Sequence, residues 1–262
     1  MLISKHWADH NRKFAHFNFV YPVISRRAKG LSIGINCTPS GACSFDCIYC
    51  QVRELRPVQP SVDEIISELK ELLSIYNETK LAKYFPGVEE KDRMLKDIAL
   101  SGDGEPTLYP HFKELCEELS KENCKVVLIT NAAQICEGFE HLTEIWGKLD
   151  AGTDDFLQVI NRPKKKVDIA EIESNLKHIV SNFPLRIQTM LCKPSSDEEI
   201  ESYTQIVHRI YETNPRNLLS VQLYSVARQA AESSVKPLSW EFLESVKVRL
   251  QEKNSKLLIE VF

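Results

Sequence analysis

Cys43-Ser44-Phe45-Asp46-Cys47-Ile48-Tyr49-Cys50 places three thiols within eight residues of a chain that holds eight cysteines in all. Spacing this tight is not an accident of composition, and the number three narrows the chemistry. Structural zinc takes four ligands, usually from two paired knuckles, and neither a second Cys-x-x-Cys nor a nearby histidine pair follows. A redox dithiol at Cys47 and Cys50 leaves Cys43 without a part. Three soft thiolates suit a cubane iron–sulfur cluster with one iron left for another ligand.

The rest of the composition sets bounds. The chain has 262 residues, 43% apolar and 27% charged, which describes an ordinary folded chain of one large α/β domain. No apolar run approaches the roughly 18 residues of a membrane span. The opening MLISKHWADHNRK turns polar too early for a secretion signal. These features predict a cytoplasmic chain, where cysteines serve as free thiols or metal ligands rather than disulfides. A net charge of −4 gives no general attraction to nucleic acid.

Short apolar runs alternate with helical patterns. Strands are expected at Leu31 to Ile35, Ile98 to Leu100, Val126 to Ile129, Ile187 to Leu191 and Val221 to Leu223, with a weaker one at Lys148 to Asp150 and a closing strand at Leu257 to Val261. Val62, Ile65, Ile66, Leu69, Leu72, Leu73 and Tyr76 share one helical face, opened by Ser61 and Glu64 as a capping box. Ser196 and Glu199 open another helix, with Ile200, Tyr203, Val207 and Ile210 inward. This alternation predicts a single parallel sheet with outer helices and right-handed crossovers. Tyr84 to Arg93 reads as one surface loop.

The residues that packing does not explain stand just past these runs. The first run leads to the cysteine loop, the second to Ser101-Gly102-Asp103-Gly104-Glu105-Pro106-Thr107, the third to Thr130-Asn131, the weak one to Asp150, and the sixth to Arg228. In parallel α/β folds the carboxyl ends of the strands form the functional face. Taken alone, Asn131 equally shapes a turn, and Asp150 equally ends a strand.

Cys-x-x-x-Cys-x-x-Cys with an aromatic residue before the last cysteine resembles the radical S-adenosylmethionine (SAM) superfamily. Tyr21 to Arg27, Gly30 to Ile35, Tyr49-Cys50-Gln51, Ser101 to Leu108, Asn161-Arg162-Pro163 and Val221-Gln222-Leu223 are similar to a stand-alone iron–sulfur oxidoreductase subgroup related to the wyosine-type tRNA-modifying enzymes. The similarity runs from about Tyr21 to Pro237. It implies an α/β partial (β/α)6 barrel in one radical SAM domain, with residues 1–30 an N-terminal extension, 31–237 the core barrel, and 238–262 a C-terminal helix and closing strand.

The same resemblance implies an enzyme that reductively cleaves SAM to a 5′-deoxyadenosyl radical. Cys43, Cys47 and Cys50 would hold a [4Fe–4S] cluster, and SAM would chelate its fourth iron. Tyr49 would lie near the adenine, and Gly102, Asp103, Gly104 and Glu105 would receive the ammonium. Asn131, Asp150 and Gln188 would supply ribose and carboxylate contacts. The reductant would be a flavodoxin or ferredoxin, and the substrate a small molecule, a peptide or an RNA.

Several positions depart from the family pattern. Asp103 stands where the first glycine of a pair is usual, Ala132 where a glycine follows Thr130-Asn131, and Arg228-Gln229-Ala230 where Arg-Pro-Pro is frequent. The extra upstream cysteines of the tRNA enzymes do not occur, so the resemblance implies one cluster.

Other features read more plainly. Cys116 lies on a stripe with Phe112, Leu115 and Leu119, and Cys124 and Cys192 border strands, so all three read as structural thiols; Cys37 and Cys136 stay open. His6, His10, His16, His178 and His208 read as surface histidines. Arg26-Arg27 and Lys164-Lys165-Lys166 are solvated charge unless the substrate is RNA. Two rival readings stand beside the enzyme: a non-catalytic iron–sulfur or zinc module for electron transfer or partner binding, and a thiol oxidoreductase that would tolerate loss of Cys43. Neither needs the glycine-rich and asparagine strand ends.

Overall fold

The structure is a computed structural model that describes residues 14–52, 55–227, 230 and 232–262. His6, His10, Arg228 and Gln229 lie outside the described residues. The chain divides into two compact units. One comprises Met1–Ala42, Glu54–Leu128 and Cys136–Thr143, the other Cys43–Arg53, Ile129–Ile135 and Glu144–Phe262.

In the first unit, strand β1 (Val20–Ser25) pairs antiparallel with β2 (Gly30–Ile35). Four residues join them, too few for a crossover, so a hairpin is the only connection available. Lys29 turns the corner at φ 60, and the Ala28 N–H donates to Ser25 Oγ at 3.1 Å. This ladder is where the structure departs from the expected all-parallel sheet. Helix α1 (Val62–Thr79) then crosses to β3 (Leu95–Leu100), which pairs parallel with β2. Helix α2 (Phe112–Leu119) crosses to β4 (Val126–Thr130), whose first three residues pair parallel with β3.

Helix α1 forms as its sequence predicts. Ser61 and Glu64 cap each other reciprocally, and Val62, Ile65, Ile66, Leu69, Leu72 and Tyr76 are buried. The Tyr76 hydroxyl leaves that apolar stripe to accept the Leu95 N–H at 3.0 Å, at the start of β3.

The second unit repeats the strand–helix alternation. It runs β5 (Glu144–Lys148), α3 (Asp154–Ile160), α4 (Ile169–Asn182), β6 (Leu185–Met190), α5 (Asp197–Thr213), β7 (Leu218–Tyr224), α6 (Trp240–Lys253) and β8 (Ile259–Val261). All three ladders of β5 through β8 are parallel. Alternation sorts each strand into two faces. Ile145, Ile187, Val221 and Leu223 are wholly buried on one. Gly147 shares it, where a Cβ would stand 2.5 Å from Leu176 of α4.

The opposite face is polar and bonded to itself. Gln188 donates to Gln222 at 3.0 Å, and Gln222 to Glu260 at 3.3 Å. Arg186 donates to Ser220 at 2.8 Å and to Glu144, whose carboxylate also takes the Trp146 indole N–H at 2.6 Å. This row corrects two expected boundaries. The run expected at Lys148 to Asp150 is a strand from Glu144 to Lys148, and the sixth strand begins at Leu185 rather than Ile187. Their charged residues concealed the period because each is satisfied by a neighbour on the same face.

The β1–β2 hairpin yields a stability prediction. Tyr21 and Gly34 are cross-strand partners, and a Cβ on Gly34 would meet the Tyr21 ring at 2.3 Å. Gly34→Val should cost about 1–3 kcal/mol by overpacking. Urea denaturation should show a lower midpoint at unchanged slope, and adding Tyr21→Ala should recover part of the loss.

Candidate functional site

The cysteine loop belongs to the second unit and is stitched backbone to backbone onto the segment that follows α3. Phe45 and Pro163 form an antiparallel bridge. Asp46 N–H donates to the Asn161 carbonyl at 3.0 Å, Ile48 N–H to that of Ile160 at 3.0 Å, and Lys164 N–H to that of Ser44 at 2.8 Å. Ile48 and Tyr49 pack with Ile160, Cys192, Val226 and Ala230 beneath it. A loop held by this many main-chain bonds presents its side chains from a fixed frame.

Cys43, Cys47 and Cys50 are in no disulfide and are half-buried. The Asn131 amide, at the end of β4, donates to Ser44 Oγ at 2.9 Å and lies 3.8 Å from Cys43 Sγ. Phe45 N–H also points at Cys43 Sγ, at 3.5 Å. The Asn161 amide donates to Cys47 Sγ at 3.3 Å. Burial, with Asp150 adding to it, pushes the Cys47 thiol up to about 12, and the Asn161 hydrogen bond opposes the shift. Among the described residues, no three His, Cys, Asp or Glu side chains stand grouped as a metal-ligand set. The fit to a cluster therefore rests on the donors: three soft thiols outside any disulfide, two of them facing amide N–H groups.

Asp150 is the hub of the same unit. Its side chain is wholly buried, and four donors surround it. These are the Tyr49 hydroxyl, Asn161 Nδ2 at 2.8 Å, Met190 N–H at 2.8 Å and Lys148 Nζ at 3.1 Å. Lys148 also donates to the Tyr224 hydroxyl at 2.8 Å and lies over the rings of Tyr49 and Tyr224 at 4.9 and 5.2 Å. Burial pulls the Lys148 ammonium down, but Asp150 and then Tyr224 outweigh it and hold it above the ordinary lysine value. Burial first, then Asp150, pushes the Tyr49 phenol well up. Gln188, fully buried, sits in the polar row described above.

The segment Gly102 to Glu105 belongs to the first unit, just past β3. Asn36 and Asp103 bond reciprocally: Asn36 Nδ2 donates to the Asp103 carboxylate at 2.6 Å, and Asp103 N–H to Asn36 Oδ1 at 3.1 Å. A Cβ on Gly102 would stand 2.3 Å from Asn36 Oδ1, and one on Gly104 2.2 Å from the Ala42 carbonyl. Both glycines are thus needed for close approach to the run Asn36 to Ala42, which leads along the chain into Cys43. Glu105 is buried and accepts from Thr107 N–H at 3.2 Å and Thr107 Oγ1 at 2.8 Å, capping the turn Pro106–Leu108. Beside Gly104 the buried Thr38 hydroxyl has no partner.

The structure therefore brings Cys47, Tyr49 and Asp150 into one bonded network through Asn161, pairs Asn131 with Cys43 and Ser44, and gives Gly102 to Glu105 a cradle of its own. Sequence reasoning missed Lys148 and gave no role to Asn161, Asn36 or Thr38. The signal for Lys148 was its place two residues before Asp150, a spacing that puts two side chains on one side of an extended chain. Cys37, Cys116 and Cys192 are buried, as structural thiols are, and burial raises the Cys37, Cys136 and Cys192 thiols to about 12. His16 and His178 are exposed, while half-buried His208 bonds Asn254 at 2.8 Å.

A model of the radical SAM superfamily matches residues 37–206, well over half of the chain. A UPF0026 protein of Synechocystis sp. is 31% identical over 208 residues, covering 75% of this chain and 73% of its own length. The S-adenosyl-L-methionine-dependent tRNA 4-demethylwyosine synthase TYW1B of Homo sapiens is 29% identical over 210 residues, 76% of this chain and 31% of its own. The GTPase Obg of Brachyspira hyodysenteriae is 29% identical over 257 residues, 92% of this chain and 34% of its own, so the chain spans about a third of these last two. In fold, it resembles TYW1 solved with a lysine-pyruvate adduct bound, at TM-score 0.62 and 21% identity over 86% of this chain and 74% of that one. A radical SAM methyltransferase from Sphaerobacter thermophilus superposes at TM-score 0.66 and 14% identity, over 92% of this chain and 68% of that one. The chain belongs to the radical SAM superfamily and has its α/β partial-barrel fold. That family implies a [4Fe–4S] cluster and SAM, and its members are enzymes rather than passive metal modules.

The hub gives the second prediction. Asp150 accepts from four donors, so an amide there turns an N–H toward one of them. Asp150→Asn should destabilise the metal-free protein by about 3–5 kcal/mol, the cost of breaking a buried ion pair. Chemical denaturation under anaerobic conditions measures it.

Proposed function

We propose that this protein binds one [4Fe–4S] cluster through Cys43, Cys47 and Cys50 and uses it with SAM to modify a substrate by hydrogen abstraction. The observation that carries this reading is the stitched loop of three thiols outside any disulfide, two of them facing side-chain amides. Held by these cysteines, a cluster would supply the electron for reductive cleavage of SAM to methionine and a 5′-deoxyadenosyl radical, which would take a hydrogen atom from the substrate.

The chain's own residues hold and orient. Tyr49 lies in the loop next to the last cysteine, which supports a place for it near the adenine, although its hydroxyl is committed to Asp150 and its ring carries the Lys148 ammonium. Gly102 to Glu105 receive the SAM ammonium on backbone carbonyls, since Asp103 and Glu105 already serve Asn36 and Thr107. The unpartnered Thr38 hydroxyl beside Gly104 is one further acceptor there. Asn131, Asp150 and Gln188 serve the ribose and carboxylate, Asp150 through Tyr49 and Lys148 rather than by direct contact. A flavodoxin or ferredoxin supplies the electron, and the protein works in the cytoplasm. Among the described residues no helix is long and apolar enough to cross a membrane.

Anaerobic reconstitution should give about four irons per chain, the content of one cubane cluster. Cys→Ala at 43, 47 or 50 should abolish it, and the same change at Cys116, Cys124 or Cys192 should leave it intact. With a strong one-electron reductant the loaded protein should release 5′-deoxyadenosine from SAM. Stoichiometric zinc in protein purified without oxygen, or a second cluster, would sink the reading.

For the substrate, one observation favours RNA. Lys164, Lys165 and Lys166 are exposed, and Lys164 N–H is bonded to Ser44 inside the cysteine loop. That backbone bond ties the first of three exposed lysines to the cysteine loop, which supports a path for the phosphates of a modified strand there. RNA should bind with strong salt dependence, and Lys164→Ala should lower the slope of log affinity against log salt by about 1. Binding unaffected by salt, or by the loss of all three lysines, would move the substrate to a small molecule or peptide.

A further inference from the structure

Asn161 makes contacts that exceed what a turn requires. It ends α3, with its N–H bonded to the Leu157 carbonyl at 2.8 Å and its own carbonyl taking the Asp46 N–H. It is 3% exposed. Its Nδ2 meets three acceptors: Asp150 Oδ2 at 2.8 Å, Tyr49 Oη at 3.2 Å and Cys47 Sγ at 3.3 Å. Asp150 as a carboxylate only accepts, which fixes the nitrogen end of the amide toward it. Of the two protons, one is committed to Asp150. The other lies between the Cys47 sulfur and Tyr49, whose own hydroxyl proton already goes to Asp150.

The backbone is strained to keep this arrangement. Arg162, the next residue, has φ 47, a left-handed conformation that disfavours a side chain. Ala132 has φ 59 directly after Asn131, the other asparagine facing a cysteine sulfur. Strain of this kind persists where surrounding contacts hold it in place.

We propose that Asn161 is a positioning residue for the cluster, one that donates an N–H to the Cys47 sulfur and thereby raises the reduction potential. This rests on the cluster reading above. A reduced cluster carries one more negative charge, so an N–H aimed at a ligand sulfur stabilises the reduced form more than the oxidised one. Burial enlarges the effect, because little water screens the dipole. Through its bond to Asp150, the same amide ties the sulfur's environment to Tyr49 and Lys148.

The test is a redox titration of reconstituted protein followed by electron paramagnetic resonance, with iron content measured alongside. Asn161→Leu keeps the bulk and deletes both donors. At a fixed poise its ratio of reduced to oxidised cluster should fall about tenfold, the equivalent of one hydrogen bond to a charged group. Asn161→Gln, which keeps an amide, should recover much of it. An unchanged potential in a fully loaded Asn161→Leu protein would overturn the proposal and leave the cluster reading standing. Wild-type protein that takes up no iron would overturn both.

Loss of a donor to Asp150 also threatens the fold, so a second measurement avoids that variant. Asn131→Ser removes the other amide near a cysteine sulfur. In that protein, grown with isotopically labelled asparagine, the reduced cluster should still couple magnetically to a labelled nitrogen. Absence of coupling would overturn the proposal.

Discussion

A carboxylate buried beyond the reach of water is tolerable only inside a shell of donors. Asp150 is such a group, and the arrangement of the second unit follows from satisfying it. Its four donors come from the cysteine loop, from the end of α3, from the backbone of β6 and from the last residue of β5, two places before it. One anion therefore fixes the places of Tyr49, Asn161 and Lys148 together. Through Asn161 it also reaches Cys47. Removing any one donor leaves the charge short of a partner, so the network holds as a unit.

The first unit solves a different problem, that of bringing two stretches of backbone close together. Gly102 and Gly104 sit against Asn36 and Ala42 at distances that no Cβ fits, and Glu105 N–H donates to the Ala42 carbonyl at 2.7 Å. These glycines have a structural reason apart from any ligand. The functional reading asks the same backbone, fixed by those contacts, to present its carbonyls to a cation. Pre-organisation of this kind costs nothing at the moment of binding.

Much of this was legible in the chain. The strand–helix alternation, the capping of α1 by Ser61 and Glu64, the buried Cys116 and the exposed loop after Tyr84 all follow local rules of period and propensity. The antiparallel β1 was not foreseen, although the short connection after Ser25 contained the reason. The start of β6 was misplaced because Arg186 breaks the apolar run. A polar residue inside a strand reads as a boundary until its partner on the next strand is known.

The sequence by itself determined the family, whose motifs it carries in the cysteine loop and the strand-end segments, and the type of most elements, because a helix or strand period is a local property. What only the tertiary structure decided is which of these side chains are already engaged, and with what. Asp150 and Glu105 looked equally free to meet a ligand. Folding encloses the first among four donors and turns the second to its own Thr107. Asn161 had no assigned part and now faces the Cys47 sulfur. Such roles depend on contacts between residues as far apart in the chain as Cys47 and Asn161. No pattern of spacing encodes them, since hydrogen bonding acts on distance in space rather than on separation in sequence.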